Sequence, residues 1–235
     1  MSDTSGPMDE QARAKRNAGY YAADLIEDDA IVGLGTGSTV FYMMDRLAGR
    51  MREGLRATGI ATSFQTERRA YEYRIPLSTL HEYDVIDIAI DGADQIDPAF
   101  RLIKGRGAAQ TRERCVAEAA DAFVVVADKG KLTDALTAPV PVEVLSFAVP
   151  VVMNRLAALG GTPVIREGVK KDGPVITDNG NWIIDCRFPR IDEPERLEDA
   201  INTLPGVLSC GIFTEFTGKT SIVVGTPEGV EYLSL

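Results

Sequence analysis

Three short apolar runs, each followed by a polar or glycine-containing turn, most constrain the fold of this chain. They are AIVGL (Ala30–Leu34), VIDIAI (residues 85–90) and FVVVA (residues 123–127). Near-continuous apolar strands are typical of parallel sheets that are covered on both faces. Helical patterns lie between the runs, and strands that alternate with helices predict a doubly wound α/β sheet. In such sheets ligands bind at the carboxyl ends of the strands.

The pattern changes after residue 136. Strands and helices still follow one another, but turn signals such as DNGN at residues 178–181 favour antiparallel pairing. We therefore predict a smaller α+β domain over residues 137–212. Residues 221–224 (SIVV) are apolar enough to rejoin the first sheet, which gives a first domain of residues 1–136 plus 213–235. Within the smaller domain the pattern predicts helices over 149–159 and 194–204, and strands over 138–147, 164–168, 176–180, 182–186 and 207–213.

Charge and composition restrict the classes of function. The chain has 25 Lys and Arg against 35 Asp and Glu, and this net charge of −10 disfavours nucleic-acid binding, which needs clustered positive charge. A small phosphorylated ligand stays open, because a few local cations suffice for it. No apolar run approaches the ~20 residues of a membrane span, and the polar N-terminus has no signal-peptide core, so we expect no membrane association. Cys115, Cys186 and Cys210 are odd in number and lack CxxC spacing, which indicates reduced thiols in a cytoplasmic protein.

The first apolar run leads into a glycine-rich turn that precedes a helical stretch. The turn contains Gly35, Thr36, Gly37, Ser38 and Thr39. A strand, a glycine turn and a helix together present backbone N–H groups and the helix dipole to an anion. The glycines do not match the GxGxxG dinucleotide motif, and no GK[ST] follows. The pattern favours phosphate binding, although such a turn can also be a simple tight turn.

The second apolar run leads into DGADQIDPAFRLIKGRGAAQTRE (residues 91–113). Asp91 and Asp94 follow the strand, and Lys104 stands beside the glycines of a KGRG loop. Glu113 lies on a helix predicted over residues 108–120, on a face that it shares with alanine and valine. Burial on that face raises the pKa of a carboxyl toward the range of a general base. A helix-edge glutamate paired with a neighbouring cation explains the pattern equally well.

Other polar residues carry weaker signals. Lys131 follows the third run, and Lys15 lies in a helix predicted over residues 8–28; solvated lysines are the ordinary interpretation of both. His81 is the single histidine, so a histidine-based zinc site and a Ser-His-Asp triad are both implausible. The acidic residues at 91, 94 and 97 do not have EF-hand spacing, but a carboxylate-bound divalent ion stays open.

The motifs GLGTGST, IDGADQID, KGRGAAQTRE, ADKGKL, PVPVEV and TDNGN, in this order, resemble the ribose-5-phosphate isomerase A family. The resemblance spans the chain from Lys15 to about Tyr232. It implies interconversion of D-ribose 5-phosphate and D-ribulose 5-phosphate without a metal or a cofactor. It also implies a Rossmann-like first domain, a ferredoxin-like second domain and a homodimer or homotetramer.

The resemblance also implies roles for residues of this chain. Glu113 would be the base that moves a proton between C2 and C1. Because an enediolate needs a cation where oxyanion charge develops, Lys104 is the candidate for that cation. Asp91 and Asp94 would hold the sugar hydroxyls, assist ring opening and move protons between O1 and O2. The substrate would contact Lys15, Thr36, Gly37, Ser38, Thr39, Asp91, Gly92, Ala93, Asp94, Lys104, Gly105, Arg106, Gly107 and Lys131. Arg106 departs from the family, which commonly has glycine there.

Two other classes share this architecture. A sugar-phosphate sensor domain of a transcriptional repressor would need a basic helix-turn-helix before the sheet, whereas only about 30 residues precede it and they are not basic. An acyl-CoA transferase would use a glutamate as its nucleophile, but the KGRG loop and the short chain speak against it.

Overall fold

The computed structural model of the protein describes residues 9–235. The predicted polar N-terminus and the first residue of the helix predicted over 8–28 lie outside the described residues. The helices are α1 (Glu10–Asp24), α2 (Ser38–Arg52), α3 (Phe64–Tyr73), α4 (Gln110–Ala119), α5 (Val149–Ala158) and α6 (Pro194–Asn202). The strands are β1 (Ala30–Leu34), β2 (Ala57–Ala61), β3 (Leu77–Ser78), β4 (Ile86–Gly92), β5 (Gln95–Ile96), β6 (Leu102–Ile103), β7 (Ala120–Asp128), β8 (Val140–Val144), β9 (Thr162–Ile165), β10 (Trp182–Arg187), β11 (Val207–Cys210), β12 (Ile212–Phe213), β13 (Thr220–Gly225) and β14 (Val230–Ser234).

The largest sheet of the described residues has seven strands in the order β14-β13-β7-β4-β1-β2-β3. Its neighbours pair in parallel, except that β14 runs antiparallel to β13. The predicted doubly wound sheet is confirmed, and the SIVV segment joins it within β13. The sequence pattern did not predict β14, whose side chains are half-buried or exposed.

The packing of β7 explains why the strand sequences lack polar alternation. Val124 and Val126 pack with side chains of α1 and α2 on one face of the sheet. Phe123 and Val125 pack with side chains of α4 on the other face. Because both faces of the strand are buried, every position favours an apolar residue.

A second sheet has the order β11-β8-β10-β9, with antiparallel pairing throughout. Helix α5 connects β8 to β9, and α6 connects β10 to β11. This βαββαβ arrangement is the ferredoxin-like topology, so the predicted α+β unit is confirmed. Its four strands lie within residues 137–212, but the exact domain boundaries stay a prediction.

Two predicted strands of this region were wrong. Residues 176–180 form no strand beyond a single bridge from Ile176 to Trp182, because the chain turns back at once. In that turn the Thr177 N–H donates to the Asn181 carbonyl at 2.8 Å, and Gly180 has a φ of +81°. The strand predicted over 207–213 is broken at Gly211 into β11 and β12.

The break at Gly211 connects the second sheet to a small third sheet with the order β12-β6-β5. The Gly211 N–H donates to the Pro141 carbonyl at 2.7 Å, and the Gly211 carbonyl accepts from the Lys104 N–H at 2.8 Å. A Cβ on Gly211 would lie 2.2 Å from the Lys104 carbonyl oxygen. The backbone of Lys104 is thus held at the junction of the second sheet and the small third sheet.

Helix α1, which carries Lys15, packs closely against the end of β13. A Cβ on Gly225 would lie 1.9 Å from the Ala14 carbonyl oxygen, which is backbone and cannot rotate away. We expect Gly225→Ala to lower the free energy of unfolding by about 2 kcal/mol, the usual range for overpacking. Urea unfolding followed by circular dichroism measures this change. The control Gly229→Ala adds a Cβ with nothing within 4 Å, and equal losses for both variants would contradict the account.

Candidate active site

A cavity of about 290 Å³ lies at the carboxyl ends of β1, β4 and β7. Asp91 is the one predicted site residue that does not line it. The wall includes the others, namely Lys15, Thr36, Gly37, Ser38, Thr39, Gly92, Ala93, Asp94, Lys104, Gly105, Arg106, Gly107, Glu113 and Lys131. The fold therefore brings together residues that lie more than 100 positions apart in the sequence.

Lys104 is the centre of the charged end of this cavity. Its side chain is only 2% exposed, and its Nζ lies 3.0 Å from Asp91 Oδ2 and 3.1 Å from Glu113 Oε2. The same ammonium donates to the Gly92 carbonyl. A buried ammonium needs such partners, because an unpaired charge is strongly disfavoured away from water.

Glu113 is also buried, and its charge contact with Lys104 is not an aligned hydrogen bond. Burial raises the pKa of Glu113, and the neighbouring Asp91 charge raises it further, while Lys104 opposes both; the result is a pKa of about 8. Burial lowers the pKa of Lys104, but the carboxylates of Asp91 and Glu113 outweigh that effect, so this pKa lies above its ordinary value. The site therefore combines a permanent cation with a carboxyl of unusual basicity.

Asp91 lies behind Lys104, and both of its carboxylate oxygens bond to groups of the protein. Its Oδ1 accepts from the N–H groups of Thr36 at 3.0 Å and Gly92 at 2.7 Å, while Oδ2 faces Lys104. This approach requires glycine at position 35, where a Cβ would lie 2.2 Å from Asp91 Oδ1. Asp91 thereby connects the glycine turn to the buried ammonium.

The glycine turn leads directly into α2, as predicted. Gly37 has a φ of +125° and stands before the helix without a side-chain cap. The N–H groups of Ser38, Thr39 and Val40 have no hydrogen-bond partner among residues 9–235. Unpaired N–H groups at a helix N-terminus attract anions, and these three lie at the cavity wall.

Thr36 holds the turn in place and has no free donor for a ligand. Its N–H is bonded to Asp91, and its hydroxyl lies within 3.2 Å of the hydroxyls of Thr62, Ser63 and Thr66. The Thr66 hydroxyl in turn donates to the Gly35 carbonyl at 2.7 Å. This cluster fastens the turn to the start of α3.

The remaining predicted cations lie around the rim. Lys15 and Lys131 line the cavity half-buried, and neither pairs with a carboxylate of the described residues. The Arg106 N–H donates to Asp94 Oδ2 at 2.9 Å, while its guanidinium lies 3.7 Å from Asp94 Oδ1 with the side chain 80% exposed. Arg106 therefore extends into solvent from the loop and does not fill the cavity.

Three polar lining residues were missed by the sequence reasoning, namely Gln11, Gln65 and Asp128. Asp128 follows the third apolar run, so the strand-end rule could have identified it. Its Oδ1 accepts from the Gly130 N–H at 3.0 Å and so orients the short 3₁₀ helix that carries Lys131. The two glutamines lie on helices in ordinary polar positions and gave no signal.

Within residues 9–235, no group of three or more His, Cys, Asp or Glu side chains is placed to hold a metal ion. Asp97, the third acidic residue of the DxxDxxD pattern, bonds to Arg101 instead. In the same range, no helix combines the length and apolar character needed to cross a bilayer.

The fold and the site define a class, an α/β enzyme that performs acid–base chemistry on a small anionic substrate. The family described as ribose 5-phosphate isomerase A (phosphoriboisomerase A) matches residues 58–229. The ribose-5-phosphate isomerase A of Methanoregula boonei is 55% identical over 230 residues, which cover 98% of this chain and 97% of the relative. The chain therefore belongs to the ribose-5-phosphate isomerase A family.

Solved structures agree with this assignment. Ribose 5-phosphate isomerase A from Methanocaldococcus jannaschii has a TM-score of 0.90 at 45% identity, covering 94% of this chain and 98% of its own. A D-ribose-5-phosphate isomerase in complex with phospho-erythronic acid has a TM-score of 0.92 at 44% identity, covering 97% and 100%. The predicted family and fold class are confirmed.

The raised pKa of Glu113 makes stability depend on pH. The carboxyl has an ordinary pKa of 4.5, but the folded protein retains its proton up to about 8. Between these two pH values the folded state binds more protons than the unfolded state. The contribution of Glu113 protonation to the free energy of unfolding therefore falls as pH rises. Glu113→Gln does not titrate and lacks the fall. We expect the variant to gain stability relative to the wild type from pH 4.5 to 8, measured by urea unfolding.

The matched control is Glu118→Gln, which changes an exposed acid on the same helix. Its stability should follow that of the wild type across this pH range. If Glu113→Gln also follows the wild type, the pKa of Glu113 is not raised.

Proposed function

We infer that this chain interconverts D-ribose 5-phosphate and D-ribulose 5-phosphate by proton transfer through an enediolate. The observation that carries the inference is the buried Glu113 beside Lys104, in a cavity next to the open N-terminus of α2. An aldose–ketose isomerase needs one base for both carbons and a cation near the two oxygens. Membership of the family supports the same substrate pair.

The phosphate would bind at the N-terminus of α2. The open N–H groups of residues 38–40 favour an anion there, and Lys15 and Lys131 supply positive charge at the same cavity. The complex of a relative with phospho-erythronic acid supports a phosphorylated ligand. Binding energy at the phosphate would orient the carbon end of the sugar toward Lys104.

Glu113 would act at the carbon end of the open-chain sugar. As a carboxylate it removes the proton from C2. The electron pair of the C2–H bond forms the C1=C2 double bond, and the π pair of the C1 carbonyl moves onto O1 to give the enediolate. Once a proton has passed between the two oxygens, Glu113 returns a proton to C1. A carboxyl with a pKa of about 8 is a stronger base than an ordinary glutamate, which favours abstraction from carbon. Lys104 remains charged throughout and stabilises the developing oxyanion.

The two aspartates have different surroundings, which supports different roles. Asp94 lines the cavity, so it is the better candidate for contact with the sugar hydroxyls and for ring opening. Both oxygens of Asp91 are occupied within the protein, which supports a role in holding Lys104 and the glycine turn. Arg106 lies at the mouth of the cavity, within reach of a ligand hydroxyl or phosphate.

The remaining predictions concern cofactors and partners. Proton transfer by Glu113 uses no metal or cofactor, and their absence from the reaction stays a prediction, as does the absence of nucleic-acid binding.

A cytoplasmic location is supported by three unpaired cysteines. A homodimer or homotetramer is supported by exposed apolar side chains at and before α5, where Phe147 is 96% and Val151 58% exposed.

The proposed proton transfer can be tested by isotope labelling. Ribose 5-phosphate is incubated with the protein in deuterated water, and the ribulose 5-phosphate is analysed by NMR. We expect deuterium at C1, because the proton on Glu113 can exchange with solvent. Glu113→Gln should lower kcat by roughly 10²–10⁴-fold, the usual contribution of a general base. Glu118→Gln serves as the control on the same helix and should retain wild-type kcat.

Two results would contradict the proposal. Product that forms without any deuterium at C1 would indicate a hydride shift, which is the metal-assisted alternative. Near-wild-type kcat in Glu113→Gln would remove this residue from the role of base.

A further inference from the structure

The first turn of α4 carries Glu113 between neighbours that are anchored outside the first sheet. Glu113 faces the cavity, whereas Thr111, Arg112 and Arg114 bond to residues of the second domain or of the segment that leaves it. The helix has no side-chain cap at its N-terminus, where Ala109 stands. Its start is therefore held by contacts from outside the first sheet.

Glu143 of β8 receives the contact from Thr111. Its side chain is fully buried, and the Thr111 hydroxyl donates to Oε2. Oε1 accepts from the Thr177 hydroxyl at 2.6 Å, the Asn179 amide at 3.1 Å and the Asn181 amide at 3.0 Å. No cation pairs with this carboxylate among residues 9–235, so neutral donors alone satisfy it. A buried charge held in this way depends on every donor remaining in place.

The turn at residues 178–181, which supplies the two asparagines, also bonds to helices of the first domain. The Asp178 carbonyl accepts from Arg112 Nη2 at 2.9 Å, and Asn179 Oδ1 accepts from Arg112 Nε at 2.7 Å. The Asp178 carboxylate accepts a hydrogen bond at 2.7 Å from the N–H of Phe64, and Phe64 is the first residue of α3. One turn of the second domain is thus bonded to the starts of both α3 and α4.

These two helix starts serve the two ends of the cavity. The start of α3 carries Ser63 and Thr66, whose hydroxyls hold Thr36 in the glycine turn. The start of α4 carries Glu113. Contacts from the turn therefore reach both the anion-binding end and the proton-transfer end of the site.

Arg114 anchors the other side of the same helical turn. Its Nη1 lies 2.7 Å from Glu198 Oε1, and its Nε donates to the Ser209 hydroxyl at 3.0 Å. Glu113 Oε2 lies 3.1 Å from Lys104 Nζ without an aligned hydrogen bond, so this ion pair constrains its direction less than an aligned hydrogen bond would. Its orientation therefore also depends on the backbone of α4 and hence on the neighbours on either side.

We propose that Glu143 and the turn at residues 178–181 are positioning residues, which align Glu113 with the reacting carbons through Thr111 and Arg112. The proposal rests on the assignment of Glu113 as the base. A shift of the base by a fraction of an ångström weakens proton transfer more than it weakens substrate binding. The phosphate end supplies much of the binding, so loss of alignment should lower kcat with little change in KM.

The test compares Thr111→Val, which removes the donor to Glu143 at nearly constant volume, with Thr111→Ser, which keeps it. We expect Thr111→Val to lower kcat about tenfold with KM within about twofold of the wild type. The acid limb of its pH–kcat profile should move to lower pH by about half a unit or more, because a displaced Glu113 is less desolvated. Thr111→Ser should restore most of kcat and the wild-type profile.

Two further variants separate positioning from stability. Thr220→Val removes a buried hydroxyl that bonds to the Phe216 carbonyl at 2.7 Å, far from the cavity; it should lower Tm without changing the pH profile. Asn179→Ala changes an exposed residue and should fold even if Thr111→Val does not. It removes one contact to Glu143 and one to Arg112, so we expect kcat to fall about threefold with KM unchanged.

The wild type and Glu113→Gln are measured in the same series. An inactive wild type would refute the proposed function itself, and an active Glu113→Gln would refute the assignment of Glu113 as the base. An active wild type and an inactive Glu113→Gln, together with wild-type kcat and pH profile in Thr111→Val and Asn179→Ala, would refute only the positioning role. A kcat loss in Thr220→Val equal to that in Thr111→Val, at equal loss of Tm, would also refute it.

Discussion

The contact of one buried ammonium with two buried carboxylates is the interaction on which the rest of this site depends. Lys104 lies within 3.1 Å of both Asp91 and Glu113, and all three side chains are nearly inaccessible to water. Two carboxylates around one ammonium leave an excess of negative charge, so a proton on Glu113 is favoured. Burial, together with the negative charge of Asp91, raises the pKa of Glu113 and so makes it a useful base.

Such a charged cluster requires a rigid frame, because separation of its members would leave buried charges unpaired. Asp91 comes from the end of β4, Lys104 from the segment after β6, and Glu113 from the first turn of α4. The large sheet places the first, and the backbone contact between Lys104 and Gly211 places the second. The third is held by the second domain, which gives the ferredoxin-like unit a role in the site although it does not line the cavity.

The sequence predicted well those features that local pattern determines. The apolar runs identified β1, β4 and β7, and the strand-end rule led to the glycine turn and to the aspartates at 91 and 94. The strand-end rule could not show that Asp91 lies behind Lys104. The sequence also could not show that Glu113 is buried, because its helical pattern fitted a solvent-edge ion pair equally well. The DNGN signal identified the turn at residues 178–181, but the strand predicted over 176–180 was wrong, because the bonds that hold this segment run to Glu143, which lies 38 positions before Asn181. Contacts of that range leave no periodic signal in a single sequence.

In the free enzyme at neutral pH, Glu113 holds a proton while Lys104 beside it remains charged. Infrared difference spectroscopy of the wild type against Glu113→Gln, in light and deuterated water, tests it directly. We expect the carbonyl band of a protonated, buried carboxyl in the wild type near pH 7. This band should be missing from the variant, and in the wild type it should fade as pH passes about 8. A spectrum at pH 7 with only the bands of an ionised carboxylate at this position would contradict it.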